Sequence, residues 1–300
     1  MSSLSSNNHT YGRKPLDVTL PRGRVLSSSR TLIMGIVNVT PDSFFPGSRA
    51  FDPDRALEQG LRMIDEGADI LDIGGESTRP GSDPVNAAAE MKRVVPVISG
   101  LRRSTDLPIS IDTQKAVVAE AAIEAGADIV NDVSALRHDP EMGSLVARRR
   151  VPVVLMHMRG TPKTMQLSPG YEDVVEEVLS ELSAYAEAAK RAGIRPDRII
   201  LDPGIGFGKR QEDNIALIRA LPRLVALGYP LLVGVSRKSF IGRMLGRQGD
   251  PRPVEERLAG TLAVHLFASL LGADILRVHD VRETRDALRV FSTLLDEDTE

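Results

Sequence analysis

Asp112, Asn131 and Asp202 each close a short apolar run, and together they offer a carboxylate, an amide and a second carboxylate. Those groups suit a flat heterocycle with adjacent ring N–H and exocyclic amino donors. Arg79, Lys238, Arg277 and His279 form the opposite set. They are cationic or potentially cationic donors, apt for a phosphate or diphosphate. Asn38 can add one oxygen ligand to a Mg2+ that keeps its waters and takes phosphate oxygens. An aminated heterocycle carrying a diphosphate fits both sets. Each residue also has a plainer reading. Strand-end Asp and Asn often cap the next helix, His157 between two methionines reads as a hydrogen-bonded core histidine, and Asp72 and Glu76 read as braces of their loop. Several cations beside acidic strand ends make coincidence the weaker explanation.

The elements that must position these groups follow one pattern. The stretch Asp69-Ile70-Leu71-Asp72-Ile73-Gly74-Gly75-Glu76-Ser77-Thr78-Arg79-Pro80-Gly81 begins as a strand buried on both faces and opens into a charged loop. Parallel α/β proteins place their chemistry at such strand ends. The alternation predicts eight strands, at 32–38, 69–73, 108–112, 128–132, 152–157, 198–202, 230–235 and 274–279. Asp52-Pro53, Asp83-Pro84 and Asp139-Pro140 read as helix starts, each an N-cap carboxylate followed by proline. Gly-Ala-Asp-Ile recurs at 67–70, 126–129 and 272–275 as a helix exit with a left-handed glycine. Eight strand-helix units fit a single (β/α)8 TIM barrel better than an open doubly wound sheet. Residues 1–14 read as a disordered polar tail, 15–31 as an N-terminal hairpin or irregular segment, and 32–300 as the barrel domain.

Composition narrows the function classes. A formal net charge of −3 over 300 residues gives no general affinity for nucleic acid or membrane surfaces. The sequence has no cysteine, which excludes disulfides, thiolate metal sites and cysteine nucleophiles and is compatible with a cytoplasmic protein. The apolar stretch 258–273 is too short to span a bilayer and reads as a buried or interface helix. Gly204-Ile205-Gly206-Phe207-Gly208-Lys209 lacks the spacing and following Ser/Thr of a phosphate-binding loop.

These same residues carry a family resemblance. Met34-Gly35-Ile36-Val37-Asn38-Val39-Thr40-Pro41-Asp42-Ser43-Phe44 and Asp72-Ile73-Gly74-Gly75-Glu76-Ser77-Thr78-Arg79-Pro80-Gly81 resemble the two signatures of the dihydropteroate synthases. Ser110-Ile111-Asp112-Thr113, Asn131-Asp132-Val133-Ser134, Leu155-Met156-His157-Met158, Leu201-Asp202 through Lys209, Ser236-Arg237-Lys238-Ser239 and Arg277-Val278-His279-Asp280 follow in family order. The resemblance implies a transferase of folate biosynthesis that joins 7,8-dihydropterin-6-ylmethyl diphosphate to 4-aminobenzoate, with Mg2+ and as a cytoplasmic homodimer. Carried over by motif, Asp112, Asn131, Asp202, Lys238 and Met156 hold the pterin. Asn38, Arg79, Arg277 and His279 hold the diphosphate, Asn38 serving its metal. Thr78, Pro80, Phe207 and Ser239 shape the aminobenzoate pocket under a loop at 42–47. Arg277, His279, Lys238 and Arg79 are the implied catalytic cations.

One departure stands out. After Phe44 the family's usual Ser-Asp-Gly-Gly is replaced by Phe45-Pro46-Gly47-Ser48, which removes an acidic loop residue and stiffens the loop. Two alternatives stand beside the synthase reading. A pterin-binding methyltransferase acting on a corrinoid protein shares the acidic contacts but does not need Lys238, Arg277 and His279. A non-catalytic pterin-binding paralogue draws its support from the altered loop.

Overall fold

The computed structural model describes residues 16–40, 53–77, 81–161, 163–165, 170–247 and 249–295. Two short strands, β1 (Leu16–Thr19) and β2 (Val25–Ser28), pair antiparallel ahead of the repeating part. There follow β3 (Leu32–Asn38), α1 (Pro53–Asp65), β4 (Ile70–Gly74), α2 (Ala87–Arg102), β5 (Ile109–Asp112), α3 (Ala116–Ala125) and β6 (Ile129–Asp132). Next come α4 (Met142–Arg149), β7 (Val153–Met156), α5 (Val174–Arg191), β8 (Ile199–Asp202), α6 (Gln211–Arg219) and α7 (Leu221–Val225). The last elements are β9 (Leu232–Val233), α8 (Ser239–Leu245), α9 (Leu258–Leu270), β10 (Ile275–Val278) and α10 (Val281–Leu295).

Strands β3 to β10 form one parallel sheet in the order β8-β7-β6-β5-β4-β3-β10-β9. A parallel bridge between Leu201 and Leu231 joins its two edges, with Leu201 N–H donating to Pro230 O at 2.9 Å. The sheet is therefore a closed (β/α)8 barrel, as the strand pattern predicts. Six of the eight strands are shorter than their predicted runs, β9 most of all. The repeated Gly-Ala-Asp-Ile turns set where β4, β6 and β10 begin, each at its isoleucine. Gly67, Gly126 and Gly272 take φ of +93°, +119° and +97°, so glycine ends each helix in a left-handed turn. The following aspartates then bind a neighbouring strand twice, each giving its backbone N–H to a carbonyl there and taking a backbone N–H on its side chain. Asp69 Oδ2 accepts from Ile33 N–H at 2.9 Å, Asp128 Oδ2 from Ile109 N–H at 3.1 Å, and Asp274 Oδ2 from Leu231 N–H at 2.8 Å.

Two predicted helix starts are corrected. α2 begins after Asn86, whose Oδ1 accepts from Ala89 N–H at 2.9 Å, so Asp83-Pro84 lies in the preceding loop. Asp139 also precedes its helix rather than capping it. Its Oδ1 accepts from Glu141 N–H at 3.0 Å, and its Oδ2 reaches across to Ala116 N–H, the first residue of α3, at 2.8 Å. A carboxylate can satisfy the orphan N–H groups of a helix it does not belong to, and spacing along the chain does not reveal which. Asp52 lies outside the described residues, while α1 does start at Pro53.

Side chains alternate across each strand, giving two apolar layers. One set packs outward against the helices, and Ile33, Leu71 and Val130 belong to it. The other fills the barrel with Met34, Ile70, Ile129, Val154, Ile200 and Ile275, and Leu16, Val18 and Leu20 join it from β1 and the residue after it. The hairpin thus seals the amino-terminal end. Burial of each of those three side chains stabilises the seal by about 1.5–3 kcal/mol. Thr19 Oγ1 donates to Asp197 at 2.7 Å, and Arg24 pairs with Asp128 and donates to Asp106 O at 2.9 Å, fastening the hairpin rim. Only the carboxyl-end mouth is left for chemistry.

Candidate active site

At that mouth the buried charges form one connected group. Arg277, near the end of β10, donates through Nε to Asp72 Oδ2 at 2.6 Å and through a terminal nitrogen to Asp112 Oδ2 at 2.7 Å. Asn131 Nδ2 donates to the same Asp72 oxygen at 3.1 Å. Asp72 is 0% exposed, and its Oδ1 has no hydrogen-bond partner among the described residues. The three acceptors come from β4, β5 and β6, and parallel pairing sets Asp112 opposite both Gly74 and Asn131. Burial pushes the Asp112 carboxyl up to about 7; the nearby Asp72 charge adds to this, and Arg277 pulls against it. Arg277 is held above its ordinary value despite burial, because Asp72 and Asp112 favour its charge.

A second group surrounds Asp202 at the end of β8. Asp202 Oδ1 accepts from Gly204 N–H at 2.7 Å, while burial raises its carboxyl and Lys238 opposes that rise. Lys238 donates to Ile205 O, and its ammonium stands 4.5 Å from the centre of the Phe207 ring. Burial pushes Lys238 down to about 8, with Asp202 opposing. Arg237, just before it, has φ of +58° and is held there by Asp280, by Thr261 Oγ1 on its N–H at 3.1 Å, and by Arg257 on its carbonyl at 2.9 Å. That unusual backbone turn sets where Lys238 leaves the chain. His279, two residues after Arg277, has Nδ1 3.0 Å from Ser236 Oγ and gives its backbone N–H to the same oxygen at 3.2 Å.

Met156 is buried with Val133, Met158 and Met165, and Phe207 packs against that cluster. Asn38 closes β3 and is partly exposed, and Ser239 opens α8 and is exposed. Thr78, Arg79, Pro80 and the loop at 42–47 with Phe45 and Pro46 lie outside the described residues. The structure therefore brings Asp112, Asn131, Asp202, Lys238, Arg277 and His279 to one mouth. It separates Glu76 from Asp72, which the sequence reading paired as braces. Glu76 does brace, accepting from Lys115 and from Val85 N–H at 3.2 Å, while Lys115 also reaches the buried Glu90 at 2.6 Å. Asp72 belongs instead to the site. The signal available for it was its place one strand position inside Gly74, on the face that points into the barrel.

His157 is fully buried and bonded, as its setting between methionines predicts. The partner is unexpected. Lys209, 1% exposed, donates to His157 Nδ1 at 3.0 Å and to Phe207 O at 3.1 Å. The glycine-rich string before it folds onto β7, and its backbone donors are taken by side chains: Gly204 N–H by Asp202 and Gly206 N–H by Asn214 Oδ1 at 2.6 Å. Gly204 has φ of +64°, and a Cβ there would sit 1.9 Å from His157 O. Gly204→Ala is expected to cost about 3 kcal/mol or more, read as a lowered midpoint in thermal unfolding; an unchanged midpoint would contradict this backbone contact.

A closed parallel barrel whose mouth sets carboxylates and an amide beside cations defines a class, and comparison agrees. The sequence profile of the pterin binding enzymes matches residues 34–279. A dihydropteroate synthase of Synechocystis sp. is 47% identical over 277 residues, covering 92% of this chain and 94% of that protein. The solved structure of the Xanthomonas albilineans dihydropteroate synthase with 4-aminobenzoic acid superposes with a TM-score of 0.87 at 48% identity, covering 94% of this chain and 99% of that one. The same enzyme in complex with 7,8-dihydropteroate gives 0.81 at 47% identity, over 91% and 97% of the two chains. The chain belongs to the dihydropteroate synthase family.

Proposed function

We propose that this mouth carries out the family's reaction, joining 7,8-dihydropterin-6-ylmethyl diphosphate to 4-aminobenzoate with release of diphosphate. The observation that carries the reading is the Asp72–Arg277–Asp112 bridge, which links two buried carboxylates to a cation whose strand leads to His279. Buried charges of this kind are costly, and a ligand that uses them offsets the cost. The ring donors of the pterin pair with Asp112, Asn131 and Asp202, Lys238 supplies a donor beside Asp202, and Met156 packs on the ring. Arg277, His279 and Arg79 face the diphosphate, and Thr78, Pro80, Phe207 and Ser239 shape the arylamine pocket.

The C–O bond breaks with its electron pair leaving on the diphosphate, and the electron-rich pterin carries the positive charge at its exocyclic methylene. The amine lone pair then forms the C–N bond, and the nitrogen loses a proton. An arylamine is unprotonated at neutral pH, so a strong general base is not required. The residues contribute by positioning the two substrates and stabilising the leaving group.

Mg2+ is part of this reading. Among the described residues no three His, Asp or Glu side chains gather as a metal cage, and Asn38 is a single hard oxygen donor. That donor set suits an ion carried by water and diphosphate oxygens rather than an all-protein site. When bound, the ion would neutralise charge on the departing diphosphate.

The test is product formation by purified protein with both substrates, with Mg2+ and with chelator. Dihydropteroate formed only with the metal is the expected result. Tight pterin binding without product would favour a non-catalytic pterin binder.

A cytoplasmic homodimer completes the proposal. Phe267 on α9 and Val290 and Leu294 on α10 are exposed, Leu294 to 77%, and such a patch favours a partner of the same kind. Sedimentation equilibrium is expected to give twice the chain mass. Charge substitution at Val290 and Leu294 is expected to return it to one.

A further inference from the structure

Lys209 stands out among buried groups because the proposed chemistry does not use it. It is among the largest fully buried side chains, and its ammonium has no direct carboxylate contact among the described residues. Its three acceptors are His157 Nδ1 at 3.0 Å, Phe207 O at 3.1 Å and His157 O at 3.4 Å. An ammonium only donates, so His157 Nδ1 must accept, and the ring proton then sits on Nε2. That nitrogen lies 3.1 Å from Glu181 Oε2, close but poorly aligned. Glu181 also takes Tyr185 OH at 2.9 Å and Arg159 Nε at 3.0 Å, which anchors the assembly to α5. Burial lowers Lys209 to about 7, with Asp202 favouring its charge.

The loop from Pro203 to Gly208 has left-handed glycines at 204, 206 and 208 and so little intrinsic preference for one shape. Its conformation is set by four side-chain attachments: Asp202 on Gly204 N–H, Lys238 on Ile205 O, Asn214 on Gly206 N–H, and Lys209 on Phe207 O. The last of these bonds the backbone of the residue whose ring stands beside Lys238.

We propose that Lys209 is a positioning residue for the arylamine side of the reaction, fixing Phe207 by tying its carbonyl to His157 just after β7. The inference rests on the synthase reading above. Lys209 holds the Phe207 carbonyl, two residues beyond the Ile205 carbonyl that Lys238 holds, so loosening Phe207 acts on the arylamine first and on the pterin, through Lys238, second.

The test compares the parent enzyme with Lys209→Met, Lys209→Gln and His157→Phe, measuring kcat, both KM values and thermal unfolding. Exchange of a buried charge for an apolar chain of similar size is often neutral or stabilising, so a folded Met variant is expected. Lys209→Met should raise the 4-aminobenzoate KM about tenfold to a hundredfold, with the pterin diphosphate KM changed less than threefold. Lys209→Gln keeps a donor and should recover part of that loss. If the Met variant does not fold, His157→Phe decides, since it removes the ring acceptor of Lys209 and should raise the arylamine KM selectively. An unchanged arylamine KM, or equal loss of both affinities together with a lowered unfolding midpoint, overturns the proposal. A parent enzyme that makes no dihydropteroate would instead overturn the synthase reading.

Discussion

Arg277→Ala is expected to lower kcat by about 10²–10³-fold, the scale for losing one donor aimed at developing charge, while weakening pterin binding by much less. Two consequences of the geometry separate this result from a general loss of structure. The guanidinium is the shared partner of Asp72 and Asp112, so its removal leaves two buried carboxylates without their cation. Breaking such a buried pair costs about 3–5 kcal/mol when the remaining charge persists. Protonation of Asp112, already raised to about 7, relieves that cost. The variant should therefore be least stable near pH 8 and recover as the pH falls toward 6, while its kcat stays low at both. Steady-state kinetics and thermal unfolding at the two pH values check both halves. A loss confined to the pterin KM, with kcat intact, would remove Arg277 from the leaving-group side.

Asp112→Asn should move stability and function in opposite directions. The folded-state carboxyl is raised from 3.8 to about 7 by burial, so between these values the folded protein holds a proton that the unfolded chain has lost. Stability from this group is complete below about pH 4 and is lost as the pH rises through about 7. An amide at this place does not ionise, so the ligand-free variant should be more stable than the parent at pH 8 and differ less at pH 5. Binding runs the other way. The carboxylate is the acceptor for the ring donors, and a charged hydrogen bond is worth about 1.5–3 kcal/mol. Pterin affinity should fall about tenfold to a hundredfold at pH 8. In the parent enzyme, kcat/KM for the pterin substrate should decline as the pH drops below about 7, and this limb should be absent in the variant. A variant less stable than the parent at pH 8 would mean that the Arg277 pairing outweighs burial.

The barrel was legible because its signals are local and repeated. The 32–38 run coincides with β3, and the other seven strands fall inside their predicted runs or within one residue of them. The site was legible where a polar residue ends a strand, as at Asp112, Asn131 and Asp202. Asp72 escaped because it lies within an apolar run, where a carboxylate reads as a local brace until a cation 205 positions along the chain is brought to it. Asp139 shows the same limit at a helix end, since the N–H it satisfies belongs to another helix. Lys209 sat inside a recognised motif without a role, because spacing cannot say whether a lysine faces solvent or the core. All three are long-range electrostatic arrangements, and such arrangements leave no periodic trace in the chain.

The hairpin that seals the barrel floor also constrains how the chain matures. Leu16, Val18 and Leu20 leave the ribosome early, yet the cluster they enter includes Ile200, Leu232 and Ile275. β3 likewise meets its second neighbour only when β10 has been made. The apolar residues of the hairpin must therefore wait, exposed or sheltered by a chaperone, until those later strands have been made. Folding is consequently dominated by late, distant closure, and the floor that keeps the finished enzyme to a single mouth is also a holding problem during its synthesis.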